Sequence, residues 1–240
     1  MGRYLKIIRI PISIYIIYMI EVLLKKIAYL VDKIRVKLFR FEEQVFEKKY
    51  NLTTIKHERG STKKEYRGYA PTPIRILKLT LERININEND IFIDIGSGKG
   101  RVIIFAALYN FRKVIGLELI KEFHEDAKLN IERFKLSENI RDKIELVNDD
   151  VCNYVINDDT TIFYFANPFS IQIYSKVFDK IYNSYINNKR LIKIIIYRPV
   201  LLVKLYIEKI EWLRLIDVIE DNTIMYGKDY QVHIYEINEK

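Results

Sequence analysis

Hydrophobic positions in the first fifty residues recur at the helical period, whereas beyond residue 90 they gather into short runs. Ile20, Leu24, Ile27, Val31, Ile34, Leu38, Phe41 and Val45 follow one another at steps of 4, 3, 4, 3, 4, 3 and 4 residues. That is a heptad seam on a helix. Upstream, Ile10 to Ile20 carries no charge, but it is only 11 residues long and contains Pro11. It is too short to span a bilayer, and without a small-residue cleavage site it does not read as a signal peptide. Residues 51–68 are polar, with Gly60 and Ser61 near their centre, and read as a linker. Tyr69-Ala-Pro-Thr-Pro73 reads as an extended turn, with Thr72 the expected N-cap and Pro73 the opening residue of a helix from Ile74 to about Arg83.

The remainder alternates between the two periods. Ile91–Ile95 is an apolar run interrupted by one acid and followed by a glycine turn that leads into a helix. Strands are then expected at Val114–Glu118, Ile144–Asn148, Thr161–Phe165 and Leu191–Tyr197, with helices at Lys121–Lys135, Ile171–Tyr185 and near Val200–Glu208. Trp212–Ile219 and Gln231–Ile237 complete the strands, joined by a turn around Asp221–Gly227. Strands alternating with helices predict an α/β fold with a largely parallel sheet.

Composition narrows the classes. The chain has 240 residues, 49% of them hydrophobic, enough for one α/β domain and an appendage. Mean hydropathy near zero excludes a multispanning membrane protein. The single Cys152 rules out a disulfide framework and suits a reducing, cytoplasmic location. His57, His124 and His233 have no metal-ligand spacing, so no metal is expected. Charge is unevenly spread: residues 1–68 hold 16 Lys/Arg and 7 Asp/Glu, a net +9, while residues 69–240 come to −1. An acidic partner would therefore meet the N-terminal arm. That arm, residues 1–50, suits a helix covering its own domain, self-association through residues 20–45, or an anionic membrane surface on the cytoplasmic side. Nucleic acid is disfavoured as a partner, because no aromatic stacking pattern interleaves the charges.

Candidate chemistry lies at the strand ends. Asp94 precedes Gly96-Ser-Gly98-Lys-Gly100-Arg101, and glycines at alternate positions let backbone N–H groups approach a ligand. A dinucleotide fingerprint would need glycine where Arg101 stands. Glu118, Asp150 and Asn167-Pro168-Phe169 close the next three strands. A carboxylate after the second strand is placed to accept ribose hydroxyls, and a third acid can accept an adenine amino group. Each acid alone suits a cap or turn; the order of all of them is the signal.

Asp94–Gly100 resembles motif I of class I S-adenosylmethionine (SAM) methyltransferases, and residues 69–240 resemble that family throughout. The resemblance implies a Rossmann-like seven-strand sheet, mostly parallel, with an antiparallel terminal hairpin in which Gln231–Ile237 lies beside the fifth strand. It implies SAM as cofactor, held by Asp94, Gly96, Ser97, Gly98, Gly100, Glu118 (ribose) and Asp150 (adenine). Asn167, Pro168 and Phe169 are similar to the family's motif IV of amino-group methyltransferases, less one proline, and would form the catalytic pole. Tyr69-Ala-Pro-Thr-Pro with D-I-G-S-G-K-G-R resembles the seven-strand protein-lysine methyltransferases, which implies that Tyr69 and Thr72 help hold the methionine end and that protein lysine is the acceptor. A methyltransferase of nucleic acid or small molecules, and a non-catalytic SAM-binding or membrane-surface adaptor, remain open alternatives.

Overall fold

The computed structural model describes residues 12–58, 68–220 and 231–237. The sequence readings at Ile10, Pro11, Gly60, Ser61 and Asp221–Gly227 lie outside those residues. A helix α1 (Ile12–Tyr50) is followed by α2 (Ile74–Arg83), β1 (Ile91–Ile95), α3 (Arg101–Ala107) and β2 (Lys113–Glu118). Next come α4 (Lys121–Phe134), a short α5 (Glu138–Arg141), β3 (Ile144–Asn148) and β4 (Ile162–Phe165). The chain continues through α6 (Ile171–Asn187), β5 (Lys193–Tyr197), α7 (Leu201–Ile207), β6 (Leu213–Glu220) and β7 (Gln231–Ile237). Expected and observed strand boundaries differ by a residue or two, because apolar runs mark where a strand is buried more sharply than where it ends.

The seven strands stand in the order β3-β2-β1-β4-β5-β7-β6. β1 pairs in parallel with both β2 and β4, whereas β7 runs antiparallel between β5 and β6, as expected. The chain winds outward from β1 to β3 and then restarts at β4, so the switch point lies between β1 and β4. Open α/β sheets bind their ligands there, at the carboxyl ends of the strands. Alternating side chains feed two cores. Phe92, Val114, Ile162 and Ile195 pack under α2 and α3, and Ile93, Ile115, Phe163 and Ile194 pack under α6 and α7.

Two expectations fail around α1. Its heptad seam does not cover the domain: the eight seam residues are between 40% and 62% exposed. The domain instead takes another face, with Glu43 and Glu47 buried and Val36, Phe39, Phe46 and Tyr50 half-buried. Phe46 packs 5.1 Å from the ring of Phe105, and Tyr50 packs 4.4 Å from that of Phe134. Nor is Thr72 an N-cap. Pro73 holds the cap position of α2, and the Ile74 N–H donates to Glu43 Oε1 at 2.9 Å, so α1 supplies the cap from a distance. Of the segment expected as a linker, residues 51–58 lie on the domain: Leu52 and Thr54 are buried, and the Thr53 N–H donates to Asn130 Oδ1 at 2.9 Å.

Candidate active site

A cleft opens at the carboxyl ends of β1, β2 and β4. Asp94, Gly96, Ser97, Gly98, Glu118 and Asp149 line it, with Tyr69, Thr72, Phe123, Pro168 and Phe169 above and beside them. The glycine loop is closely covered on two sides. A Cβ at Gly96 would stand 2.6 Å from Cβ of Pro168, and one at Gly98 would run into the ring of Tyr69. Both glycines have positive φ, 86° and 53°, so side chains are excluded by conformation as well as by space. Gly100 lies below the cleft, against Ala127 of α4.

Asp94 is the least satisfied group there. It is fully buried, and its Oδ1 has no hydrogen-bond partner. Burial, and next the nearby Glu118 carboxylate, push its carboxyl well above the usual carboxylate range. An acceptor left without a donor in a cleft lacks a cationic or N–H-bearing group. Glu118 differs, because both its oxygens are already used. Oε2 accepts the Gly98 N–H at 2.7 Å and Oε1 accepts the Ile120 N–H at 2.8 Å. Burial raises its carboxyl, and those backbone donors oppose the shift. It therefore fastens the glycine loop to β2, and as a cleft-lining carboxylate it keeps acceptor capacity beyond those two bonds.

Asp149 is the third acid lining the cleft, where the sequence pointed to Asp150. Asp150 Oδ1 accepts the Cys152 N–H at 2.9 Å and closes a turn. Thr72 Oγ1 lies 3.1 Å from the Tyr164 hydroxyl, and the Tyr69 hydroxyl donates to the Thr54 carbonyl at 2.6 Å. Both residues are thereby fixed at the cleft rim. Of the expected catalytic trio, Pro168 and Phe169 line the cleft, whereas Asn167 is absent from its lining and lines a second depression beside it.

Sequence reasoning missed what lies beneath the loop. Arg101, where a dinucleotide fingerprint would have glycine, is buried and donates to three partners. Nη1 meets Glu43, Nη2 meets Glu47 Oε1 at 2.9 Å, and Nε meets Thr54 Oγ1 at 2.7 Å. Lys99, also buried, reaches Glu58 at 2.8 Å and Asp126 at 3.1 Å. Burial alone would lower the Lys99 ammonium's pKa, but the two carboxylates outweigh it and the net shift is upward. The available signal was the acid pair Glu43/Glu47, four residues apart and so on one face of a helix that is basic on balance.

Residues 66–141 match the family model described as Histone methylation protein DOT1. That span runs from the cleft rim through the glycine loop to α5, and it stops before Asn167. A Protein-lysine N-methyltransferase of Saccharolobus islandicus (strain REY15A) is 39% identical over 66 residues, which are 27% of this chain and 41% of that relative. The match thus spans less than half of the curated relative's length. Among solved structures, an RNA methyltransferase from Salinibacter ruber, in complex with S-adenosyl-L-homocysteine, has a TM-score of 0.54 at 17% identity. The alignment covers 71% of this chain and 95% of that one. A SAM-dependent O-methyltransferase from Thermotoga maritima has a TM-score of 0.55 at 14% identity, covering 71% and 68%. Sheet order, antiparallel terminal hairpin and these likenesses together give the chain the fold of the seven-strand SAM-dependent methyltransferases.

Proposed function

We propose that the chain is a SAM-dependent methyltransferase acting on a nitrogen nucleophile, with protein lysine the favoured acceptor. The observation that carries the reading is the orphaned carboxylate oxygen of Asp94, buried beside a glycine loop at the sheet's switch point. SAM bears an α-amino group and a sulfonium, so a cation would meet a buried carboxylate oxygen that no donor among the described residues reaches. Asp94 would receive the amino group, with Thr72 and Tyr69 at the methionine end and Glu118 on the ribose. Asp149 replaces Asp150 as acceptor for the adenine amino group. Gly96, Ser97 and Gly98 would bring the loop backbone against the ligand, and Gly100 would hold the loop on α4.

Bound SAM supplies a methyl group whose carbon–sulfur electron pair returns to sulfur as the acceptor's lone pair forms the nitrogen–carbon bond. A lysine must first lose its ammonium proton to solvent. The chain's own residues mainly align and exclude water. The DOT1 match and the relative named as a protein-lysine methyltransferase support lysine over the RNA acceptor named for the Salinibacter structure. Calorimetric titration with SAM, followed by tritiated-methyl transfer into a cell extract, tests both steps. Saturable binding and label recovered as methyl-lysine are expected. Label in RNA would move the acceptor class, and failure to bind SAM would overturn the reading.

The arm adds a location. No helix among the described residues is long and apolar enough to cross a membrane. Yet Tyr15, Ile16, Ile17, Tyr18, Met19 and Ile20 are six consecutive exposed residues that cover every side of α1. A two-helix seam buries one stripe, so self-association would leave most of this apolar surface in water. An interfacial helix buries more of it, and Lys25, Lys26, Lys33, Arg35, Lys37 and Arg40 supply contacts for anionic headgroups. We therefore place α1 on an anionic membrane surface. Co-sedimentation with phosphatidylserine-containing vesicles, lost at high salt and on removal of residues 1–34, is expected. A monodisperse dimer that ignores vesicles would favour self-association instead.

A further inference from the structure

The depression beside the cleft is a groove of about 720 Å³. One wall is α1, through Val36, Phe39 and Arg40; the other stands at the end of β5, through Tyr197 and Arg198. Gly68, Ala70, Pro71 and Ala166 line both spaces, so a chain lying in the groove would run alongside the cleft and not into it. The groove's charge is one-sided. Arg40, His57 and Arg198 line it, and Glu43, the one acid among the described lining residues, is engaged by Arg101 and the Ile74 N–H. Arg40 and Arg198 are exposed, and each guanidinium carries five donors in a fork that matches a carboxylate. Arg198 is also held there against its backbone preferences. Its φ of 53° is left-handed, and the Pro199 that follows favours extended backbone before it. Its N–H donates to the Gln231 carbonyl at 2.8 Å, so the pairing with β7 sustains the strain. Residues strained in this way cluster at functional sites.

The helix indicates which anion. Two residues turn an α-helix by about 200°, so the exposed seam residues Leu38 and Val45 point away from Val36 and Glu43. A membrane on the seam therefore lies behind α1, and its headgroups do not fill the groove. Nor does the lining suit nucleic acid: Phe39 is half-buried and Tyr197 buried, so neither ring is exposed for bases to stack on. Val36, Phe39 and Tyr197 beside the two arginines suit the short aliphatic stem of an acidic side chain. We propose that the groove docks an acidic stretch of the polypeptide that bears the acceptor lysine, its carboxylates received by Arg198 and Arg40. The inference rests on the protein-lysine reading above and narrows its substrate class to lysines with acidic neighbours.

Calorimetry on the full chain at low salt tests it with a lysine-bearing peptide that has glutamates on both sides, its copy with glutamine in their place, and, separately, S-adenosylhomocysteine. The glutamate peptide is expected to bind about tenfold tighter than the glutamine copy, the scale of one charge-assisted hydrogen bond, and added salt should shrink the gain. Arg198→Gln should remove most of it, and Arg40→Glu combined with Arg198→Glu should invert it. S-adenosylhomocysteine affinity within about threefold of wild type reports that both variants keep the fold. Methyl-lysine peptides recovered from the labelled cell extract should carry an excess of acidic residues beside the lysine, and Arg198→Gln should abolish that excess. Equal affinity for the two peptides, a gain that Arg198→Gln leaves intact, or no acidic excess in the extract would overturn the docking site. So would an oligouridylate that binds tighter than the glutamate peptide and depends on Arg198, since the groove would then serve nucleic acid. Selective peptide binding with no binding of S-adenosylhomocysteine would overturn the methyltransferase reading, and with it the link between the docked stretch and a methyl acceptor.

Discussion

Replacing Arg101 with alanine is expected to destabilise the protein by about 3–5 kcal/mol, the cost of removing one partner from a buried ion pair. The guanidinium is buried between Glu43 and Glu47, which are themselves buried, and no water competes for the bonds it makes. Neither carboxylate is a simple counterion. Glu43 also receives the Ile74 N–H at the start of α2, and Glu47 receives the Thr54 N–H at 2.8 Å. Loss of the cation would leave both acids to reposition, loosening α2 and the irregular segment that carries Thr54. Against a total stability of about 5–15 kcal/mol, that loss is large. Deleting residues 1–50 removes the same pairs from the other side and is expected to cost about as much, whereas deleting residues 1–34 spares them. Urea unfolding of Arg101→Ala and of the two truncations measures this. An Arg101→Ala midpoint at the wild-type value would mean that the cluster contributes nothing net. Stability retained after the longer deletion would make the arm separable.

What the sequence disclosed and what it hid divide along a physical line. Strands β1, β2, β4 and β5 were legible because they are buried on both faces and leave apolar runs, whereas β3, a half-buried edge strand, shows only Ile144, Leu146 and Val147 around Glu145. The glycine loop was legible because close packing against Tyr69 and Pro168 admits no side chain at Gly96 and Gly98. Asp149 and Asp150 could not be separated by pattern. Adjacent residues at a strand end point to opposite sides, and which one faces the cleft depends on where the chain leaves the sheet. The seam on α1 misled for a related reason. Periodicity shows that a helix has an apolar stripe, but not what covers it. The domain took the face bearing Glu43 and Glu47 because Arg101 needed them, and that demand comes from the far end of the loop, more than fifty residues away. Thr72 looked like a cap because threonine before a proline-led helix commonly is one. Here its hydroxyl meets Tyr164 and a carboxylate from α1 takes the capping role.

Asp94→Asn is expected to weaken SAM binding by about 3 kcal/mol, roughly 150-fold, while making the ligand-free protein more stable at neutral pH. The two effects share one cause. A buried carboxylate with no donor on Oδ1, facing Glu118, is held well above its ordinary pKa, so the folded state retains a proton that the unfolded chain releases. Stability from this group is therefore full below the unfolded value of 3.8 and is lost as pH rises through the folded value. The amide stays neutral throughout and avoids that loss, but it offers no charge to a cationic ligand. Binding an ammonium requires the ionised form of Asp94, so wild-type affinity should climb with pH across the same interval, by up to about tenfold per unit, and then level. Glu118 titrates beside it and is also raised, by burial, so some acid dependence should persist in the variant with a smaller amplitude. Tyr69 and Tyr164, which face the same carboxylate, are pushed upward by burial and stay protonated across this range. Calorimetry from pH 5 to 8, paired with thermal unfolding of the ligand-free proteins, reads both effects. A variant that binds SAM as wild type does, with the same pH profile, would remove Asp94 from the ligand site and leave its orphaned oxygen as strain alone.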